Sequence, residues 1–223
     1  MERRSSSNEN VNPSATEYDV AATAMSWAAG WAIARNKASP VNQPYGCSIE
    51  LGDQLQRHVV ARNDAAILCD LNGILRTPGT WLKVCAPADE VAPHLGEHWQ
   101  IQPQEYLMAA GLNASAAGAH EGYALTLTRL PDITWAEYRD SKGELAARGC
   151  VAHRGGFGTF DQIVTEPAHQ RKGLGRSVMA ALGNACLAME VSTGVLVATE
   201  QGRALYEALG WRLISPVTAA VVA

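Results

Sequence analysis

The chain has 223 residues, 47% of them hydrophobic and 18% charged, the composition of a globular protein with a substantial core. Its net charge of −4 excludes a surface built overall for nucleic acid, so any phosphate chemistry must come from a local site. Five cysteines (Cys47, Cys69, Cys85, Cys150, Cys186) lie far apart with no C-x-x-C pair, a pattern of reduced thiols and not of a disulfide framework.

Residues 1–16, "MERRSSSNENVNPSAT", are rich in Ser and Asn and read as a disordered tail. The apolar run Val20–Ala34 falls short of the roughly 20 residues that a membrane span needs. A long polar segment precedes it where a signal peptide would carry a short basic one. The expectation is therefore a soluble cytoplasmic protein with no membrane partner. Met25, Trp27, Ala28 and Trp31 fall on helical spacing up to about Ala38, where Pro40 and Pro44 end the run. Asp64–Leu75 reads as a helix capped by Asn63 or Asp64, "TWLKVCA" as a strand, and Pro87–Leu95 as a short helix. His94 and His98 in "HLGEH" have a ligand-like spacing, but Gly96 separates them and no third ligand is in view, so no metal is expected.

Four strand-like runs follow: Gly122–Leu130, Ile133–Asp140, Leu145–Arg154 and Phe157–Thr165. "SKGE" and "GG" supply hairpin turns between the last three. Next come a helix from Leu174, the strand Gly194–Thr199, a helix "EQGRALYEAL" stopped by Gly210, and two final strands, "WRLIS" and "VTAAVVA". This order predicts an α/β (α+β) fold with a mixed sheet built on an antiparallel meander.

The segment His169–Leu182, "HQRKGLGRSVMAAL", puts Gly173 and Gly175 directly before a helix whose apolar face is Leu174, Val178, Leu182, Ala185 and Met189. A helix start offers free N–H groups and partial positive charge, and glycines let a ligand reach that backbone. Gln170, Arg171, Lys172 and Arg176 add donors and charge, a combination suited to a pyrophosphate. The run is not a P-loop, and it is not a dinucleotide fingerprint either, because Val178 stands where the third glycine belongs.

"IVTEPAHQRKGLGRSVM" resembles the acyl-CoA-binding motif of the GNAT superfamily of N-acyltransferases, V-x-P-x-x-[QR]-x-x-G-x-[GA]. Thr165 stands in the Val place, followed by Pro167, Gln170, Gly173 and Gly175. "LVATEQGRALYEALGW" resembles the family's later strand–helix element, in the family's order and spacing, and the likeness covers about Gly122 to Ala223. The resemblance implies a GNAT-like acyltransferase fold with acetyl-CoA as cosubstrate. It implies that the backbone of residues 171–176, including Leu174, wraps the pyrophosphate, and that the edge of Ile163–Val164–Thr165 binds the pantetheine arm. An N–H near Val164 or Thr165 would meet the oxyanion. Tyr206 occupies the place of a tyrosine that protonates the leaving thiolate, and Thr199 stands where other members often have Asn, to contact the pantetheine arm or a water.

For the base, alternation along 157–165 puts positions 159, 161, 163 and 165 on one face, where Asp161 is the only ionisable side chain. It either takes the amine proton or binds the acceptor's charge; Glu200 and His153 rank behind it. Cys150 and Cys186 are expected to be buried, so transfer is expected to be direct, in a ternary complex. The family usually places two helices between its first two strands, and these are missing between Leu130 and Ile133. Three regions are thus expected: the tail 1–16, an atypical N-terminal α/β half at 17–120 on the acceptor side, and a core at 121–223. The function expected is N-acetyl transfer to a small-molecule or peptide amine, with no nucleic acid as partner and with homodimerisation open. The alternatives are a non-catalytic acyl-CoA sensor and a partner-binding domain.

Overall fold

The computed structural model describes residues 18–53 and 55–223, so the expected tail at 1–16 lies outside the described residues. Helix α1 (Val20–Ala34) is followed by strands β1 (Val41–Gln43), β2 (Gly46–Gly52) and β3 (Leu55–Val60). Helix α2 (Ala65–Ile74), β4 (Trp81–Val84), the short α3 (Ala88–Val91), β5 (Trp99–Ile101) and β6 (Glu105–Gly111) complete the first half. The second half is a meander of β7 (Tyr123–Arg129), β8 (Ile133–Asp140), β9 (Leu145–Arg154) and β10 (Phe157–Thr165). Helix α4 (Leu174–Leu187), β11 (Thr193–Thr199), α5 (Glu200–Glu207) and β12 (Arg212–Val222) end it.

Local chemistry sets these boundaries. Asp19 caps α1 by accepting from the Ala22 N–H at 2.8 Å, and Asp64 caps α2 by accepting from Ala66 and Ile67. The β9–β10 hairpin turns on Gly155 and Gly156, both at positive φ (60° and 81°), as a two-residue primed turn demands. Helix α1 ends at Ala34, four residues short of the expected stop, and Met189 lies beyond the end of α4, 42% exposed. The expected pair of final strands is one continuous strand, β12, whose register shifts between Leu213 and Ser215.

The strand order is β1-β2-β3-β4-β12-β6-β11-β10-β9-β8-β7, with β5 beside β12. Two runs share one connectivity. In each, an antiparallel pair (β2–β3, β9–β10) leads through a crossover helix (α2, α4) to a strand parallel to the second member (β4, β11). The next long strand of each run then crosses to the other: β6 lies against β11, and β12 lies against β4. The two halves therefore share one sheet by reciprocal insertion of a strand.

Helices cover both faces. Leu174, Val178 and Leu182 of α4 join Met108, Tyr138, Val151 and Leu196 in one core. On the other face α1 packs Trp27, Ala28 and Trp31 against Ile49, Val59, Leu107 and Val195. Its approach to β10 is close: a Cβ on Gly30 would come within 2.1 Å of Thr159 Oγ1. Thr159 Oγ1 in turn donates to the Ser26 carbonyl at 3.2 Å.

Candidate active site

The site begins where two parallel strands part. β10 and β11 pair only from Phe157–Thr193 to Thr159–Val195. Beyond that, β10 keeps β9 on its outer edge and β11 keeps β6, so the facing edges of residues 161–165 and 196–199 have no strand between them. In the first half, β3 and β4 simply end together at Val60 and Val84.

A bulge follows the parting. Asp161 pairs with Cys150 but Val164 pairs with Arg148, so Gln162 and Ile163 oppose the single residue Gly149. Gln162 takes the left-handed conformation there (φ 56°), held by its Nε2, which donates to the Ala34 carbonyl at 3.0 Å. This corrects the strict alternation expected from sequence. Thr159 and Asp161 face α1, whereas Ile163 and Thr165 lie on the α4 side: a Cβ on Gly149 would meet Ile163, and one on Gly175 would approach Thr165.

On the α4 side a cleft of about 520 Å³ opens. Ile163, Val164 and Thr165 of β10 form one wall; Gln170, Arg171, Gly173, Leu174, Gly175 and Arg176 form the next; Thr199, Leu205 and Tyr206 close it. Arg171 and Gly173 both have positive φ (63° and 79°), and alternation of left-handed with right-handed residues is the backbone pattern of an anion nest. Gly173 caps α4 with no side-chain hydrogen bond. The equivalent start of α2 is already occupied by the carboxylate of Asp64. Of two equivalent helix starts, one is neutralised from within and the other is left open to an outside anion. Lys172 does not line the cleft; its Nζ donates to Tyr123 Oη at 2.9 Å. Gln170 lines it while donating to the Thr165 carbonyl at 3.3 Å.

On the α1 side a second cavity, about 440 Å³, meets the first across the gap. Ile163, Val164, Thr199, Gly202 and Tyr206 line both. Tyr206 is buried, its ring 6.1 Å from that of Trp211, and burial with the Asp161 charge pushes its pKa up to about 12. It therefore keeps its proton at neutral pH and remains a donor. Thr199 also caps α5, accepting from the Gly202 N–H at 3.2 Å. Asp161 reaches the second cavity, held there by Arg35.

The remaining sequence candidates lie elsewhere. Glu200 accepts from Tyr106 Oη, and His153 contacts Thr134 Oγ1 at 3.1 Å. Cys150 and Cys186 are fully buried, and burial pushes each thiol up to about 12, far from a thiolate nucleophile. Among the described residues no group of three His, Cys, Asp or Glu is placed to hold a metal ion, and no helix is long and apolar enough to cross a membrane. Sequence reasoning missed most of the second cavity: Trp27, Trp31, Arg35, Arg57, Trp81, Lys83 and Glu105. A faint signal existed in Lys83, a charge set inside the apolar strand "WLKV".

Residues 131–213 match the family model described as an acetyltransferase (GNAT) domain. Over that segment the chain is similar to GNAT acetyltransferases. Its GNAT fold is also that of solved structures. A GCN5-related N-acetyltransferase from Kribbella flavida aligns with TM-score 0.65 and 14% identity, covering 89% of this chain and 95% of that one. A tandem GNAT protein from the clavulanic acid biosynthesis pathway aligns over 92% of this chain and 95% of its own, with TM-score 0.54 and 13% identity. A GCN5-related N-acetyltransferase-like protein from Streptococcus suis covers 80% and 84%, with TM-score 0.57 and 15% identity. At these identities the likeness is one of fold. No curated protein matches the chain.

Proposed function

We propose that the chain is an N-acetyltransferase that moves an acetyl group from acetyl-CoA directly to an amine. One observation carries this reading: an uncapped glycine start of α4 stands beside parted strands, and Tyr206 lines the cavities on both sides of the gap. The open N–H groups of residues 171–176, with Arg171 and Arg176, suit the coenzyme pyrophosphate. The free edge at Ile163–Val164–Thr165 suits the pantetheine arm, which would lie along it like an added strand. Thr199, on the opposite lip, would contact the same arm. The second cavity, lined by α1 and by strands of the first half, would be the acceptor side.

The amine nitrogen attacks the thioester carbonyl carbon, and the C–S bond breaks. The developing oxyanion is met by a backbone N–H near Val164 or Thr165. The departing thiolate takes the Tyr206 proton, and the second proton that the new amide nitrogen sheds to solvent balances the one that Tyr206 regains. Asp161 binds the incoming ammonium and passes its proton to water, so that a neutral amine attacks. Thermal unfolding with acetyl-CoA, free CoA and ATP tests the binding half, and thiol release with an acceptor panel tests the chemistry. Stabilisation by acetyl-CoA and CoA, but not by ATP, is expected. Stabilisation with no thiol release for any amine would favour the non-catalytic acyl-CoA sensor; no stabilisation would refute both.

A further inference from the structure

The second cavity holds one cation that no ion pair among the described residues includes. Arg35, Arg57 and Lys83 line it together with Glu105 and Asp161. Arg35 pairs with Asp161 and Lys83 with Glu105, and no ion pair among the described residues includes Arg57. Its Nε is one of four buried side-chain polar atoms, among the described residues, that lack a hydrogen-bond partner. The other three belong to His58, His98 and Trp99, none of which lines this cavity.

The Arg57 guanidinium lies 3.9 Å from the centre of the Trp31 ring, with the Trp81 ring centre 5.6 Å away. Aromatic faces favour a cation, but they leave in-plane N–H donors unsatisfied. Burial pushes its pKa down to about 10, with Arg35 adding to the fall and Glu105 and Asp161 opposing it. The group still carries its charge at neutral pH. After the two ion pairs are counted, the cavity is positive by one half-buried, planar fork whose Nε is shut off from solvent.

We infer that Arg57 receives a carboxylate of the acceptor, so that the acceptor is an amino acid or a similar small amine bearing its own anion. The inference rests on the acyl-transfer reading above. A guanidinium matches a carboxylate through two parallel N–H···O bonds, and desolvation strengthens that pair. The same cavity reaches Asp161, Thr199 and Tyr206, where the amine end would sit. Trp27, Trp31 and Trp81 offer apolar walls to whatever joins the two ends. A polyamine would instead set a further positive charge beside three cations.

The test pairs free amino acids with their carboxamides, which keep the amine and side chain but lose the negative charge. With acetyl-CoA and the full chain, kcat/KM for the preferred acid should exceed that of its amide by about tenfold or more. In Arg57→Gln that ratio should collapse toward one, and Arg57→Lys should restore part of it. Three of the six tryptophans line the cavity, so tryptophan emission, with and without CoA, reports acid binding independently of turnover. Amides used as well as acids, or emission insensitive to every acid, would overturn the inference even if Arg57→Gln proved insoluble. Acetyl-CoA stabilisation separates the two failures. If it is present without any acid preference, only the Arg57 assignment falls; if it is absent, the acyl-transfer reading falls first.

Discussion

Arg35 holds Asp161 by two bonds, Nε donating to Oδ2 at 2.6 Å and Nη2 donating to Oδ1 at 3.1 Å. The pair fastens the C-terminal cap of α1 to the strand just before its bulge, at the rim of the second cavity. Its stabilising effect is modest, because the Arg35 side chain is 43% exposed and solvent screens the pair. Its value lies in aim, since it fixes where one carboxylate points.

Asp161→Asn should therefore leave the fold within about 1 kcal/mol of wild type. It should lower kcat/KM for acetyl transfer by roughly 10- to 100-fold, with acetyl-CoA affinity unchanged. Steady-state kinetics beside calorimetric titration of acetyl-CoA check this, and full activity would remove Asp161 from the reaction.

Gly175→Val tests the cleft. A Cβ at Gly175 would make ordinary contacts, 3.4 Å from Thr165 Oγ1 and 3.5 Å from Leu205, so the chain tolerates it. The branched side chain would then occupy the cleft between β10 and α5. Acetyl-CoA binding should be abolished in a protein whose unfolding temperature is nearly unchanged; retained affinity would move the coenzyme elsewhere.

Tyr206→Phe should keep acetyl-CoA binding and reduce kcat by roughly 10²-fold. Because burial holds the phenol near 12, its protonated form persists as pH rises through 8 and 9. The wild-type rate should accordingly not fall on the alkaline side through loss of this proton. A pH–rate profile that declines above neutrality, and loses that decline in Tyr206→Phe, would contradict the raised pKa.

The glycine turn was legible from sequence because its chemistry is local: Gly173, Gly175, Arg171 and Arg176 lie within one short segment. The meander and its hairpins were legible for the same reason. The bulge at Gln162 was not, since the bond that supports its left-handed backbone comes from the Ala34 carbonyl, far away in the chain. That single unread bond misplaced Ile163 and Thr165. Arg57 and Trp31 were hidden similarly, because neither residue type signals a site until the sheet brings strand and helix together. Strands β2 and β3 also went unnamed, although Cys47, Ile49 and Leu51 alternate with Ser48 and Glu50.

Gly30→Ala should destabilise the protein despite the better helix propensity of alanine, worth about 1 kcal/mol. The methyl would meet Thr159 Oγ1 at 2.1 Å, so α1 must move off β10 or Thr159 must turn. A net loss of about 1–3 kcal/mol is expected, read as a lower unfolding temperature. A stabilised variant would show that the contact relaxes freely.

A fragment of residues 121–223 should not fold as a monomer. It lacks β6, the strand that lies between β11 and β12 and hydrogen-bonds to both. Insoluble protein, or self-association through the exposed β11 edge, is the expected outcome by light scattering. A stable, active monomeric fragment would mean that β12 can close directly onto β11.

The same exchange of strands also governs when the molecule can form. Trp81 and Lys83 pair with Val221 and Ala219, so β4 waits for the far end of the described chain before its second edge is covered. During synthesis the first half emerges with that edge bare, and it can only be sealed once residue 221 has left the ribosome. Such long-range pairing is slow, because a large loop must close before any contact rewards it. A nascent chain stalled before β12 is thus a natural client for chaperones, and the shared sheet cannot close until translation has passed it.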